Sequence, residues 1–237
     1  MSEKRSTPAE VLVIAPRDAP FVAGSAADPS VHEAALDDIA TADLFADLAD
    51  SQHPLLHRTL DRLPVAGECE PLPQVVALTI GYMSRYQSEL AAASEPVVVS
   101  SPLLAVPTLL AAIAPDRSIL LVYADSRLAS AADVPGVAEE DAGRLLVAGL
   151  EGPGPFRRAV IERAEAFDDA AILRQIEGVV AEFMASHRVG AVVLECGEMA
   201  SIASRLRERI TVPVVDYHLV IDFFRRASRK GPSTDVA

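Results

Sequence analysis

Cys196 is the residue of this 237-residue sequence whose type and setting most readily support catalysis. It ends the apolar run 191–196 and is followed by Gly197 and a segment with helical spacing. A thiol at a helix N-terminus is expected to have a lowered pKa, because the helix dipole and the free N–H groups favour the thiolate. A small buried cysteine with no chemical role is the alternative interpretation. The other cysteine, Cys69, lies between two glutamates and is predicted to be incidental.

An internal repeat gives Cys196 a counterpart. Residues 75–83 align with residues 191–199, and the two copies share a glycine and a methionine at matching positions. The repeat indicates two similar halves related by a pseudo-twofold axis, with a ligand cleft between the C-terminal ends of their strands. Ile80 is the counterpart of Cys196. An isoleucine can neither accept nor donate the proton that a two-base enzyme needs on the second face of its substrate.

The elements that would position these residues alternate along the chain. Short runs rich in Val, Ile and Leu predict strands buried on both faces, and segments with helical spacing separate most of them. This alternation predicts an α/β fold with parallel sheets and right-handed crossovers. A Pro/Gly-rich stretch at 16–30 is predicted to be a long loop. The predicted strands are 11–15, 75–80, 96–100, 118–123, 145–148, 191–196 and 212–215, and the clearest helices are 167–187 and 199–209.

Composition narrows the class of protein. Half of the residues are hydrophobic and 23% are charged, which suits one large folded domain or two small ones. The net charge of -13 disfavours a nucleic-acid partner, because the phosphate backbone is also negative. No apolar run reaches the ~18 residues of a membrane helix, and no His/Cys cluster has the spacing of a zinc site. We therefore expect a cytoplasmic protein with no membrane, nucleic-acid or metal partner.

Several ordered motifs resemble those of the aspartate/glutamate racemase superfamily, which includes hydantoin racemases and arylmalonate decarboxylase. The first is Ile80-Gly81-Tyr82-Met83-Ser84-Arg85-Tyr86-Gln87, where the family has Cys-Gly-Phe-Leu-x-x-Phe-Gln. The second is Leu194-Glu195-Cys196-Gly197-Glu198-Met199, where the family has Leu-Glu-Cys-Thr-Asn-Met. Between them, Gly149-Leu150-Glu151 resembles the family's Gly-Met-Glu. The resemblance covers roughly residues 74–224.

The resemblance implies a fold of two pseudo-symmetric parallel-sheet α/β halves with a cleft between them. We predict that residues 9–101 and 216–230 form one half and residues 102–215 the other, with flexible tails at 1–8 and 231–237. The resemblance also implies a homodimer that uses no cofactor and binds a small carboxylate. Family members move a proton at the carbon α to that carboxylate with two cysteines. Cys196 would keep the role of the second cysteine, whereas Ile80 stands in place of the first.

Three functions are compatible with the altered motifs. An isomerase or racemase would need a replacement acid/base, and His218 is the best candidate because it follows the strand 212–215 and histidine titrates near neutral pH. A one-cysteine decarboxylase of malonate-like substrates would use the apolar Ile80 to leave one carboxylate desolvated. A non-catalytic module that binds a small carboxylate is the third possibility.

The predicted substrate contacts surround the two motifs and the strands that follow them. Backbone amides near Gly81 and Gly197, with serine or tyrosine hydroxyls, would hold the enediolate that forms at the α carbon. The full predicted set is Thr79, Ile80, Gly81, Tyr82, Ser100, Ser101, Tyr123, Gly197 and Glu198. Tyr82 and Glu198 are also weaker candidates for the second acid/base.

Overall fold

The protein is described by a computed structural model that covers residues 10–16, 22–28, 35–39, 53–65, 71–129 and 134–228. For residues 35–39 the description is limited to the backbone. The predicted tails, Cys69 and part of the predicted loop at 16–30 lie outside the described residues.

The first half contains a four-stranded parallel sheet in the order β2-β1-β3-β4. Its strands are β1 (Val11–Pro16), β2 (Ala35–Ile39), β3 (Val75–Leu78) and β4 (Val97–Val99). Three of these strands match predicted apolar runs. The edge strand β2 is missing from the sequence-based prediction, because Asp37 and Asp38 break its apolar character and resemble a solvated charge cluster.

The second half repeats this arrangement in the order β6-β5-β7-β8. Its strands are β5 (Ser118–Tyr123), β6 (Leu145–Gly149), β7 (Val189–Leu194) and β8 (Val214–Val215). All pairings in both sheets are parallel. The predicted α/β fold with two parallel sheets of similar strand order is confirmed.

Six helices connect and cover the sheets in the described part of the chain. They are α1 (Pro54–Leu60), α2 (Gln87–Ala92), α3 (Val106–Ala112), α4 (Asp169–Ser186), α5 (Ala200–Arg207) and α6 (Tyr217–Ser228). α4 begins where the Asp168 carboxylate accepts hydrogen bonds from the N–H groups of Ala170 and Ala171, as expected for an N-cap. None of the described helices is long and apolar enough to cross a membrane.

The strands are buried on both faces, and this burial produces three apolar clusters. On β1, Val13 packs in a cluster with Tyr217 and other residues of α6, whereas Ile14 packs in the largest cluster. That largest cluster also contains Ile119 and Val193 from the second sheet, so the two halves share one core. The third cluster covers the outer face of the second sheet. α6 packs against β3 and β4 of the first sheet, and the half boundaries assigned from the sequence remain predictions.

Candidate active site

Cys196 lies just beyond the C-terminal end of β7, where the chain enters a short 3₁₀ turn, Gly197–Met199. Its thiol is nearly buried, with 8% of the residue exposed. The Sγ–H group donates a hydrogen bond to Oε2 of Glu198 at 2.8 Å. The sequence motif therefore forms a thiol–carboxyl pair two residues apart.

The pKa of the Cys196 thiol lies well above its ordinary value, which corrects the sequence-based expectation of a lowered pKa. Burial is the largest cause, followed by the negative charges of Glu198 and Glu195. The three-residue 3₁₀ turn that follows Cys196 does not offset these effects. Thiolate formation therefore requires that the thiol proton pass to a nearby acceptor.

Gly81 and Gly197 show that the pseudo-twofold relation extends to the site. A Cβ atom on Gly81 would overlap the side chain and the carbonyl oxygen of Glu195. A Cβ atom on Gly197 would lie 3.1 Å from the carbonyl oxygen of Thr79. We call the turns that begin at Gly81 and Gly197 the first and second glycine turns. Thr79 and Glu195 are equivalent in the repeat, so the end of each strand contacts the glycine turn of the other half. These two contacts join the halves at the candidate site.

Ile80 precedes the first of these glycine turns and presents an apolar side chain that is 4% exposed. It belongs to the shared core cluster together with Tyr82 and Tyr123. The position equivalent to Cys196 is therefore occupied by a packed hydrocarbon side chain.

Tyr82 and Tyr123 form an aromatic pair with ring centroids 5.8 Å apart. The Tyr82 hydroxyl donates to the carbonyl oxygen of Asp125 at 2.9 Å and accepts from the Asp125 N–H at 2.8 Å. Burial and the nearby Glu195 raise the pKa of Tyr82 above its usual range. These contacts hold the Tyr82 ring and its hydroxyl in place. The predicted roles of Tyr82 in substrate binding and as an acid/base stay predictions.

Ser100 and Ser101 are fully buried behind the cleft. The Ser100 hydroxyl donates to Oε1 of Gln87 at 2.5 Å, and its carbonyl oxygen accepts from the Tyr217 hydroxyl at 3.1 Å. The Ser101 hydroxyl accepts from the Leu103 N–H at 3.2 Å. Both serines therefore brace the turn after β4, and their predicted contact with substrate stays a prediction.

His218 lies at the start of α6, beside the described part of the N-terminal loop. Its Nε2 bonds the carbonyl oxygen of Gly24 at 2.9 Å, so Nε2 carries the proton. The same loop contacts the second glycine turn through the Ala26 N–H, which donates to the Gly197 carbonyl oxygen at 3.0 Å. His218 thus ties this loop to the rim of the site, and its predicted role as the second acid/base stays a prediction.

Glu195 lies in the candidate site, although it was not among the site residues predicted from the sequence. It is 1% exposed, and neither carboxyl oxygen makes a hydrogen bond within normal geometry. Burial and the charge of Glu198 raise its pKa to about 8, although the Ala124 N–H and Arg85 oppose this. A signal was present in the sequence, because Glu195 is the one charged residue in the otherwise apolar run 191–196.

Arg163 lies close enough to Glu198 to lower the pKa of that carboxyl, although burial dominates and raises it. It follows a π-helical turn, Arg157–Ile161, and has a φ of 54°, in the left-handed region. Irregular turns and left-handed residues are enriched at functional sites. No sequence pattern identifies Arg163, because its position depends on this local backbone irregularity.

The described residues contain no group of three or more His, Cys, Asp or Glu side chains placed to hold a metal ion. The groups that the fold brings together are a thiol, two carboxyls and an apolar aromatic wall. Within this group, the Cys196 thiol and the Glu198 carboxyl are close enough to pass a proton from sulfur to oxygen.

Comparisons with known proteins agree with this fold. No family model matches the chain. A structure of unliganded arylmalonate decarboxylase superposes with a TM-score of 0.57 at 17% identity, covering 98% of this chain and 96% of the other. A second arylmalonate decarboxylase structure, a cysteine-substituted variant with sulfate, gives 0.56 at 17% identity, covering 94% and 95%. The chain thus has the fold of arylmalonate decarboxylase, in agreement with the fold that its motifs predicted.

A curated relative adds a sequence relationship. Dimethylsulfoniopropionate lyase 5 from Emiliania huxleyi is 28% identical over 176 residues, an alignment that covers 68% of this chain and 34% of the lyase. The chain therefore spans about a third of the length of that relative.

Proposed function

We propose that this chain is a cofactor-independent enzyme that moves one proton at the carbon α to a carboxylate, with Cys196 as its acid/base. The observation that carries the proposal is the hydrogen bond from Cys196 to Glu198, at the strand end whose counterpart carries Ile80. One face of the cleft has an acid/base and the other has a hydrocarbon side chain. Reactions that require only one proton transfer suit this asymmetry best.

The proton path follows from the thiol–carboxyl pair. The Cys196 S–H bond breaks as its proton passes to Glu198, and the resulting thiolate takes the α proton of the substrate. In the opposite direction, the thiol protonates an enediolate. Backbone N–H groups near Gly81 and Gly197 would hold the developing negative charge. The exposed Arg163 is the cation best placed to attract a carboxylate to this part of the cleft.

Decarboxylation of a malonate-like substrate is the first candidate reaction. A carboxylate placed against Ile80 would be stripped of water, which favours its departure as carbon dioxide. The bond to the departing carbon breaks, the electron pair remains as the enediolate, and Cys196 then donates a proton to one face. The fold shared with arylmalonate decarboxylase supports this candidate.

Elimination from a β-substituted carboxylate is the second candidate, and the sequence relationship with a dimethylsulfoniopropionate lyase favours it. Cys196 would remove the α proton, a carbon–carbon double bond would form, and the carbon–sulfur electron pair would leave with the sulfide. A positively charged leaving group suits a site with the Glu198 carboxylate and the Tyr82–Tyr123 pair, because negative charge and aromatic faces attract cations.

Racemisation or isomerisation requires a second acid/base in addition to Cys196. His218 remains the proposed residue, provided that its Nε2 leaves the carbonyl oxygen of Gly24. A homodimer and a cytoplasmic location are further expectations from the sequence. A non-catalytic carboxylate-binding module is the alternative to all three reactions.

Proton NMR in deuterium oxide tests the proposal. Wild type would be incubated with 2-substituted malonates, dimethylsulfoniopropionate and dicarboxylic amino acids. We expect Cys196-dependent release of carbon dioxide, an alkene signal, or deuterium at the α carbon, and the type of product separates the three reactions. Cys196→Ala should abolish the signal, whereas Cys69→Ala is the matched control and should retain it. Full activity in Cys196→Ala would refute every role assigned to this thiol.

A further inference from the structure

Glu195 is a buried acid whose role the proposed proton path leaves open. Its carboxyl lies between the halves, against Gly81, and both oxygens lack a hydrogen bond within normal geometry. An ionised carboxylate in this position would be costly, because it has neither water nor a full set of donors around it. The geometry therefore favours a neutral carboxylic acid.

The groups that face Glu195 come from both halves. Glu198 and Cys196 belong to the second glycine turn, and Glu198 adds negative charge. Tyr82 and Arg85 come from the first turn, and Tyr217 comes from α6. Among the described residues, Arg85 is the cation that lowers the pKa of Glu195, and its Nη2 donates to the carbonyl oxygen of Leu128 at 2.9 Å.

We propose that Glu195 is a positioning residue that stays protonated, so that Glu198 alone carries the negative charge beside Cys196 and takes the thiol proton. This inference rests on the proposed role of Cys196. In the activating step the S–H bond breaks, an O–H bond forms on Glu198, and the negative charge moves to sulfur. Glu195 exchanges no proton in this step.

Ionisation of Glu195 would act through the thiol. A second carboxylate beside Cys196 would repel the thiolate and raise its pKa further, because like charges in a poorly solvated site disfavour each other. A pair of neighbouring carboxyls that titrate at different pH values supplies an acid and a base from the same residue type. Glu198 would be the base of this pair, and Glu195 would be the neutral carboxyl that adds no charge beside the thiol.

The test titrates the thiol directly. In a Cys69→Ser chain, Cys196 is the sole cysteine, and the ultraviolet absorbance of its thiolate can be followed from about pH 6 upward to the highest pH at which the protein stays folded. Subtracting the same titration of a Cys196→Ser chain removes the tyrosine signal. Below about pH 7 we expect Glu195→Gln and its parent to form the same fraction of thiolate, because Glu195 is neutral there. Above pH 8, where Glu195 ionises, Glu195→Gln should form on the order of tenfold more thiolate than the parent. Glu177→Gln, on α4 and paired with Arg209, is the matched control and should not change the titration.

More thiolate in Glu195→Gln than in its parent below about pH 7 would show that Glu195 is ionised there, and would overturn the inference. If Glu195→Gln does not fold, infrared spectroscopy of the parent decides instead. A carbonyl band of a protonated carboxylic acid should be present at neutral pH, decline near pH 8, and persist in Glu198→Gln. Absence of that band at neutral pH would also overturn the inference. Neither measurement needs a substrate, so its failure is distinguishable from failure of the proposed function.

Discussion

Glu198 has two opposing effects on Cys196, and a single substitution separates them. Its negative charge raises the pKa of the thiol, whereas its Oε2 accepts the thiol hydrogen bond at 2.8 Å. Glu198→Gln should therefore form thiolate at lower pH and yet lose turnover by on the order of 10²-fold or more, because the proton acceptor is gone. Glu198→Asp keeps the charge and should retain more activity. A Glu198→Gln enzyme with unchanged turnover would show that the carboxyl is not part of the proton path.

Ile80 offers the complementary gain-of-function test. Ile80→Cys restores a thiol at the pseudo-symmetric position, so the cleft would have an acid/base on each face. We expect weak racemase activity with aspartate or glutamate, measured by loss of optical rotation in deuterium oxide with deuterium gain at the α carbon. Ile80→Val is the control and should remain inactive as a racemase. No gain in Ile80→Cys would indicate that the pocket no longer admits these amino acids.

Sequence reasoning placed Cys196 correctly at a strand end and misjudged the pKa of its thiol. The repeat correctly places Cys196 and Ile80 at equivalent strand ends, because strand ends and glycine turns are local features of the chain. The pKa of Cys196 depends on burial and on Glu195, which are set by tertiary packing. Arg163 was missed for the same reason, since its approach to Glu198 arises from a π-helical turn that has no sequence signature.

At the scale of elements, strands buried on both faces were the most predictable feature. β5 matches its predicted bounds, since Val, Ile and Leu fill both of its faces. β2 was missed because its sequence, ALDDI, lacks a continuous apolar run. Its position at the sheet edge gives it a pairing partner on one side only, and an edge strand tolerates charged residues.

The two glycine turns predict different tolerances to a methyl group. A Cβ on Gly81 would overlap the carbonyl oxygen of Glu195, and backbone cannot move as a side chain can. A Cβ on Gly197 meets Thr79 at 3.1 Å, which requires only a small shift. Gly81→Ala should therefore lower the free energy of unfolding by about 1–3 kcal/mol, and Gly197→Ala by less.

Thermal denaturation would compare these variants with Gly178→Ala. Gly178 lies within α4 and has nothing within 4 Å of its added Cβ, so alanine there should stabilise the protein by up to about 1 kcal/mol. Equal melting temperatures for Gly81→Ala and wild type would contradict the close packing of the two halves.

For the molecule as a whole, the two halves share one packed apolar core in the described structure. The largest core cluster draws residues from β1 and β3 and from β5 and β7. The reciprocal glycine contacts lie at the edge of this shared core. The site is therefore built into the junction between the halves, and a buried acid at this junction must affect global stability as well as the thiol.

The pH dependence of unfolding should show this effect of Glu195. Its folded-state pKa, about 8, is raised above the ordinary value of 4.5, so the folded state binds the proton more tightly than the unfolded chain. The resulting stabilisation is fully present below pH 4.5 and is lost as the pH rises towards 8. The loss can reach on the order of 4–5 kcal/mol, since each pKa unit corresponds to about 1.4 kcal/mol.

Glu195→Gln has no titratable carboxyl at this position. Comparing it with wild type therefore isolates the contribution of Glu195 to the free energy of unfolding from that of the other titrating groups. Urea unfolding of wild type and of Glu195→Gln would be measured between about pH 5 and pH 9. As the pH rises, the free energy of unfolding of wild type should fall relative to that of Glu195→Gln. Glu177→Gln should follow the wild-type curve, because Glu177 pairs with Arg209 away from the junction. A constant difference between wild type and Glu195→Gln across this range would mean that Glu195 is ionised in the folded protein, and that the junction solvates its charge.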